Sequence, residues 1–161
     1  MSNNQILVIL NGEEKRVLSN KSNKIIIART RLNTIESDHM LLQCNFEVLD
    51  DLIKAESVIR SQLSKIDELI IINKDIDLNM ISYQYDFNHI KLNYQILTNI
   101  IYFINLLIPL FNNNFRFVLS FEKDSHFKVH LNNFSNSLIN YLETLKIDLN
   151  KSNNIQIKKL D

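Results

Sequence analysis

The sequence predicts an α/β domain: a mostly parallel sheet of about six strands with helices on both faces. Three observations carry that expectation. Apolar residues run unbroken at 6–10, 25–27 and 69–72, as strands covered on both faces require. Long segments of helical period separate the later strand candidates. The order strand, helix, strand, long helix, strand, helix, strand is that of a doubly wound sheet, with strand order 3-2-1-4-5-6 expected over residues 5–160.

The strands are predicted at residues 5–10, 24–28, 40–45, 68–73, 115–121 and 155–159. Ile155-Gln156-Ile157 alternates, which suits an edge or half-exposed strand. The first helix is predicted over 50–66, with Leu52, Ile59, Leu63 and Ile66 on one face. Asp50 and Asp51 stand where an N-cap and first-turn carboxylates favour a helix start. The second helix, 86–111, carries two stripes: Ile90, Leu97, Ile101, Ile104 and Ile108, beside Ile96, Ile100, Phe103, Leu107 and Leu110. A helix apolar on two faces covers a sheet and also another helix or another subunit. Pro109 comes near its end, where the chain must turn. The third helix, 131–149, repeats the theme with Phe134, Leu138, Tyr141, Leu142, Leu145 and Leu149.

A chain of 161 residues without internal repeat or linker composition reads as one domain, 1–161. Eighteen basic residues balance eighteen acidic ones, so no overall field recruits nucleic acid or an anionic membrane. Cys44 is the only cysteine, which excludes an intrachain disulfide and points to a reducing cytoplasm. Its flanks, Leu41-Leu42-Gln43 and Phe46, favour an inert core thiol over a nucleophile. The N-terminus has no basic region, and its apolar run is shorter than a signal-peptide core. Segment 92–111 is strongly apolar but contains Asn93, Gln95, Thr98, Asn99 and Asn105, so a buried helix is preferred to a membrane span.

Gly12 is the only glycine, so neither G-x-G-x-x-G nor a P-loop can be built. The signals for fold and for chemistry therefore diverge. His39, His89, His126 and His130 show no metal-ligand spacing, and no metal is expected. Glu122, Asp124 and His126 read as a solvated loop before an acid/base group. Tyr83, Tyr85 and Phe87 read as a packed loop or interface lid, because no basic residues interleave them as in a stacking platform.

Cys44-Asn45-Phe46-Glu47, then Asp50-Asp51-Leu52 and Lys65-Ile66-Asp67-Glu68-Leu69-Ile70, resemble the short-chain dehydrogenase/reductase family, which reads C-D-V-x-D, a helix, then x-I-D-x-L-V-N-N-A-G. The likeness continues through Asp86-Phe87-Asn88 and Leu92-Asn93-Tyr94 to Leu107-Ile108-Pro109-Leu110-Phe111, where the family has V-N-x-x-G and L-P-x-M. Arg116-Phe117-Val118 resembles the G-R-I-V start of the next strand, and residues 137–149 with Ile155-Gln156-Ile157 resemble the following helix and I-R-V strand. The resemblance implies a Rossmann-like sheet ending after the sixth strand, without the family's C-terminal substrate-capping part.

By the same resemblance most active-site positions are altered. The family's glycine turn falls on Asn11-Gly12-Glu13-Glu14-Lys15-Arg16, and N-N-A-G on Ile71-Ile72-Asn73-Lys74. Y-x-x-x-K falls on Leu131 and Ser135, so neither the phenol nor the lysine that lowers its pKa is present. The catalytic candidates that remain are Asn93 and Ser120, the latter interchangeable in register with Glu122. Candidate cofactor contacts are Gly12, Arg29 and Asn45; Arg29 and Arg31 follow the second strand, where NADP-binding relatives hold the 2′-phosphate. The resemblance implies a catalytically impaired binding or structural module with no cofactor, or NADP if any. Its rival is an NADP-dependent oxidoreductase with a non-standard cofactor turn. Ile96, Ile100, Phe103 and Leu107 are expected to lack cover within one subunit. A homodimer, or a heterodimer with an intact relative, is therefore expected through helices 86–111 and 131–149.

Overall fold

A computed structural model describes residues 3–11, 22–29, 39–74, 87–121 and 129–160. Six strands form one sheet: β1 (Asn3–Asn11), β2 (Ser22–Ala28), β3 (Met40–Gln43), β4 (Ile66–Asn73), β5 (Phe111–Phe121) and β6 (Asn154–Leu160). Three helices join the later strands: α1 (Leu49–Gln62), α2 (Phe87–Leu107) and α3 (Val129–Leu149). The strand order is β3-β2-β1-β4-β5-β6 and every pairing is parallel, as the apolar runs led one to expect.

Alternation along the strands divides the apolar side chains between two faces. Ile6, Val8, Ile25, Ile27, Leu69, Ile71, Phe117 and Leu119 share one core with all three helices. Leu7, Ile9, Ile26, Ala28, Ile70, Ile72 and Val118 form a second buried cluster on the opposite face. The connections β3–β4, β4–β5 and β5–β6 run the same way along the sheet, so right-handed crossovers put α1, α2 and α3 on the same side. The β1–β2 and β2–β3 connections run the other way and fall largely in residues 12–21 and 30–38, outside the described residues.

This arrangement corrects the expectation about uncovered residues. α2 packs between α1 and α3 as well as on the sheet, so both of its stripes are used inside one subunit. Ile96, Ile100, Phe103 and Leu107 are all buried, with Phe103 and Leu107 at 0% exposure. A charge at Phe103 therefore enters the core, just as one at Ile104 does. Among the described residues of α2 and α3, the large apolar side chains left outward are Leu92, Tyr94, Tyr102 and Ile147. The stretch Lys91–Leu110 is long and apolar enough to cross a bilayer, but its inner side is built into this core.

Several boundaries also move. α1 stops at Gln62: Leu63 is extended and its N–H closes the last turn on the Ile59 carbonyl at 2.8 Å. Leu63 and Ile66 thus leave the expected helix face, and Ile66 opens β4. Val48, not Asp50, is the N-cap, and no side chain caps it; Asp50 and Asp51 supply first-turn charge instead. α2 ends at Leu107, and Ile108–Leu110 tighten into a 3₁₀ turn because Pro109 has no N–H to continue the helix. The strand β5 begins at Phe111, four residues before the expected start. Between Phe111, paired with Ile66, and Arg116, paired with Glu68, the exposed residues Asn112–Asn114 bulge from the ladder. That excursion lets the Phe111 ring stack on Phe115 with centroids 3.7 Å apart. Three consecutive asparagines read as a turn, which is why the first half of the strand was missed.

One polar row crosses the sheet beneath the second cluster. Gln5, Glu68 and Arg116 are register partners on β1, β4 and β5. The Glu68 carboxylate is buried; one oxygen accepts from Gln5 Nε2 at 2.8 Å and the other meets the Arg116 guanidinium. A carboxylate so placed depends on its partners, because an unpaired charge there loses hydration without compensation. The Arg116 side chain is itself half-exposed, so Arg116→Ala is expected to lower stability by about 1–3 kcal/mol in urea unfolding, the range for leaving a buried polar group without its partner. A loss below about 1 kcal/mol, the surface-pair range, would argue that the row is solvated.

Candidate functional site

In a sheet of this order, ligands bind outside the carboxyl ends of the strands where the order reverses, here between β1 and β4. β1 carries a bulge at that end: Ile9 pairs with Ile72 and Asn11 with Asn73, leaving Leu10 extra. Buried Asn73 closes β4 between Asn11 and Phe121. Gly12, the candidate at the tip of the first turn, lies outside the described residues. So do Arg31, Tyr83, Tyr85, Glu122, Asp124 and His126, and the side chains of Phe87, His89, His130 and Leu131.

The ends of β2 and β3 form the best-defined part of the site. Arg29 follows β2, is exposed, and lies 3.6 Å from a Glu47 carboxylate oxygen and 6.0 Å from the centre of the Phe46 ring. A neighbouring carboxylate stabilises the guanidinium but competes with any anion that Arg29 might hold. Asn45 also reaches this place, yet its side chain is turned inward on its own loop: Oδ1 accepts the Glu47 N–H at 3.1 Å. The Asn45 N–H donates to Asp51 Oδ2 at 3.0 Å, and its carbonyl accepts from Val48 at 3.0 Å. Both cofactor candidates are thus brought together, and both already have intramolecular partners.

Two residues of α2 complete this corner. Gln95 Nε2 donates to the Glu47 carbonyl at 2.8 Å, and buried Asn99 donates from Nδ2 to the Phe46 carbonyl at 3.0 Å. Sequence reasoning counted these amides only against a membrane span. Their spacing of four in an apolar helix was the available signal that both face one polar target. Glu47 was likewise missed as the partner of Arg29, because nothing local in a sequence ties the end of β2 to the turn after β3.

The catalytic candidates are not brought together. Val118 faces the second cluster, so Ser120, two residues on, faces the same way; it is buried and pairs with Ile72 and Leu160. Half-buried Asn93 sits on α2, which covers the other face. Of the acid/base positions, Ser135 is buried on α3 and Leu131 precedes it by one turn, with its side chain outside those described. Tyr141, further along α3, donates its hydroxyl to Asn105 Oδ1 at 2.6 Å. Burial raises its pKa above the usual phenol value. Among the described residues no three His, Cys, Asp or Glu side chains gather in a way that could hold a metal.

No protein-family model matches the chain, and no curated protein matches it in sequence. Solved structures do match in fold. A short chain dehydrogenase family protein from Francisella tularensis superposes with a TM-score of 0.75 at 14% identity, over 99% of this chain and 68% of that one. A 3-ketoacyl-(acyl-carrier-protein) reductase from Brucella melitensis, solved with NADH, gives 0.73 at 14% identity over 99% and 75%. A short chain dehydrogenase from Burkholderia cenocepacia, solved with NADP, gives 0.65 at 10% identity over 99% and 72%. The fold is therefore the Rossmann-like sheet of short-chain dehydrogenases, as the resemblance implied; identities this low carry the fold alone.

Cys44 ends this corner of the sheet with its N–H on the Ala28 carbonyl at 2.9 Å. Burial pushes its thiol up to about 12; the Asp51 carboxylate adds to the rise and Arg29 partly offsets it. The native thiol should therefore resist alkylation up to about pH 10 and react fully once the chain is unfolded. Between about pH 9 and 12 an unfolded chain has released this proton and the native chain has not, so the group's contribution to stability falls as pH rises. Cys44→Ala should remove that part of the alkaline slope in denaturant titrations, and an unchanged slope would place the thiol in solvent.

Proposed function

We propose that the chain is a catalytically impaired relative of the short-chain dehydrogenases, serving as a binding or structural module in a reducing, cytoplasmic setting. The observation that carries this reading is the loss of the proton-transfer pair. Leu131 and Ser135 stand one turn apart where the family's resemblance calls for a tyrosine and a lysine. A leucine has no proton to give, and a buried serine has no charge with which to lower a neighbour's pKa. Ser120 and Asn93 do not replace them, since they belong to opposite sides of the sheet. The cofactor corner supports the same reading: Glu47 already occupies Arg29, and Asn45 bonds its own turn.

One observation favours the rival, an NADP-dependent oxidoreductase with a non-standard turn. Arg29 is exposed and cationic directly after β2, and the neighbour from Burkholderia cenocepacia was solved with NADP. Thermal unfolding with NADPH and with NADH separates the two. A dinucleotide at one hundred times its Kd would add about 2.7 kcal/mol and a clear rise in Tm. The expected outcome is no saturable rise with either. A rise with NADPH that Arg29→Ala abolishes would overturn the proposal and establish the rival's cofactor site.

The module's assembly is part of the reading: two copies pairing through the outer sides of α2 and α3. Its support is the exposed apolar set there, with Tyr94 at 62%, Tyr102 at 46% and Ile147 at 73% exposure. Tyr102→Glu changes only that surface and should alter subunit stability by no more than about 0.5 kcal/mol. Sedimentation should show a wild-type dimer and a Tyr102→Glu monomer. A monomeric wild type at tens of micromolar, on the order of typical assay concentrations, would remove the dimer from the proposal.

A further inference from the structure

The turn from Asn45 to Val48 joins β3 to α1 in the sequence Asn-Phe-Glu-Val, with neither glycine nor proline to set its course. Its internal bonds use Asn45: the side-chain oxygen takes the Glu47 N–H and the carbonyl takes the Val48 N–H. They leave the carbonyls of Phe46 and Glu47 facing away from the turn. Both are met from α2, by Asn99 and Gln95, about fifty residues away in sequence. The two amides lie one helical turn apart and the two carbonyls are adjacent, so the bonds act as a pair.

We propose that Gln95 and Asn99 are positioning residues that latch the β3–α1 turn to α2, and through Glu47 hold Arg29 in place. The outer bond, from Gln95, is exposed; the inner one, from Asn99, is buried. Losing the inner bond strands a buried carbonyl, whereas losing the outer one exposes a carbonyl that water can reach. Local opening at this corner therefore proceeds by release of α2's amides rather than by unfolding of the sheet. The function of Arg29 and Asn45 as contact residues rests on the reading above, but the latch itself needs no ligand.

The chain carries its own reporter. Cys44 is the only thiol, is buried, and immediately precedes the turn. Its modification rate under native conditions at about pH 8 reads how often this corner opens. Asn99→Leu should raise that rate roughly tenfold or more, the factor that one lost buried hydrogen bond makes in an opening equilibrium. Gln95→Ala, at an exposed position where folding is safe, should raise it several-fold. Both increases should exceed what each variant's change in global stability accounts for. Leu142→Ala, in the core under α3, serves as a purely global perturbation. The proposal is overturned if the α2 variants accelerate labelling no more than their global destabilisation, as calibrated by Leu142→Ala, dictates. If Asn99→Leu does not fold, Gln95→Ala decides by the same criterion. A failed latch leaves the dinucleotide result untouched, and a dinucleotide that binds leaves the latch standing.

Discussion

A parallel strand cannot return by a hairpin; it needs a crossover, and the twist of the sheet makes that crossover right-handed. In this chain the constraint does most of the architectural sorting. With the order β3-β2-β1-β4-β5-β6, the last three connections run in the same direction and must share a face. α2 is then flanked by α1 and α3 and rests on the sheet, so a helix with two apolar stripes is what the middle position demands. Among the described residues its exposed side keeps Leu92, Tyr94 and Tyr102 as large apolar side chains. Because every pairing is parallel, the carboxyl ends of the strands share one edge, where Arg29 and Asn45 follow β2 and β3, Asn73 ends β4 and Ser120 is next to last in β5.

At that edge the chemistry is one of occupied partners. Arg29 meets Glu47, Asn45 closes its own turn, and Cys44 is protonated and enclosed. At the ends of β2 and β3 stands a corner satisfied within the chain, held from α1 by Asp51 and from α2 by Gln95 and Asn99. The turn holds neither glycine nor proline, so its course rests on Asn45 within it and on these long-range bonds.

How much of this was legible in the sequence follows from the range of the forces involved. The apolar runs Ile6 to Leu10 and Leu69 to Ile72 announced strands buried on both faces, because burial of consecutive residues is a local pattern. The helical stripes of α2 and α3 were equally plain. That Leu131 and Ser135 stand where the resemblance places a tyrosine and a lysine, and that Gly12 is the single glycine, was visible as residue identity. Boundaries were less so: Asn112 to Asn114 look like a turn but form a bulge within β5, beside the Phe111 ring stacked on Phe115.

By itself, then, the chain's order of residues determined the strand sequence and the doubly wound sheet, and it set leucine and serine at 131 and 135; each is a matter of local pattern or identity. Only the tertiary structure decided that both apolar stripes of α2 are interior, that Glu47 meets Arg29, that Glu68 bridges Gln5 and Arg116, and that Ser120 and Asn93 belong to different faces. Those outcomes depend on strand parity and on contacts between residues distant in sequence, 63 positions for Gln5 and Glu68 and 48 for Glu68 and Arg116. Periodicity says that a helix has a buried side, but the neighbours that bury it are set by the handedness of the crossovers.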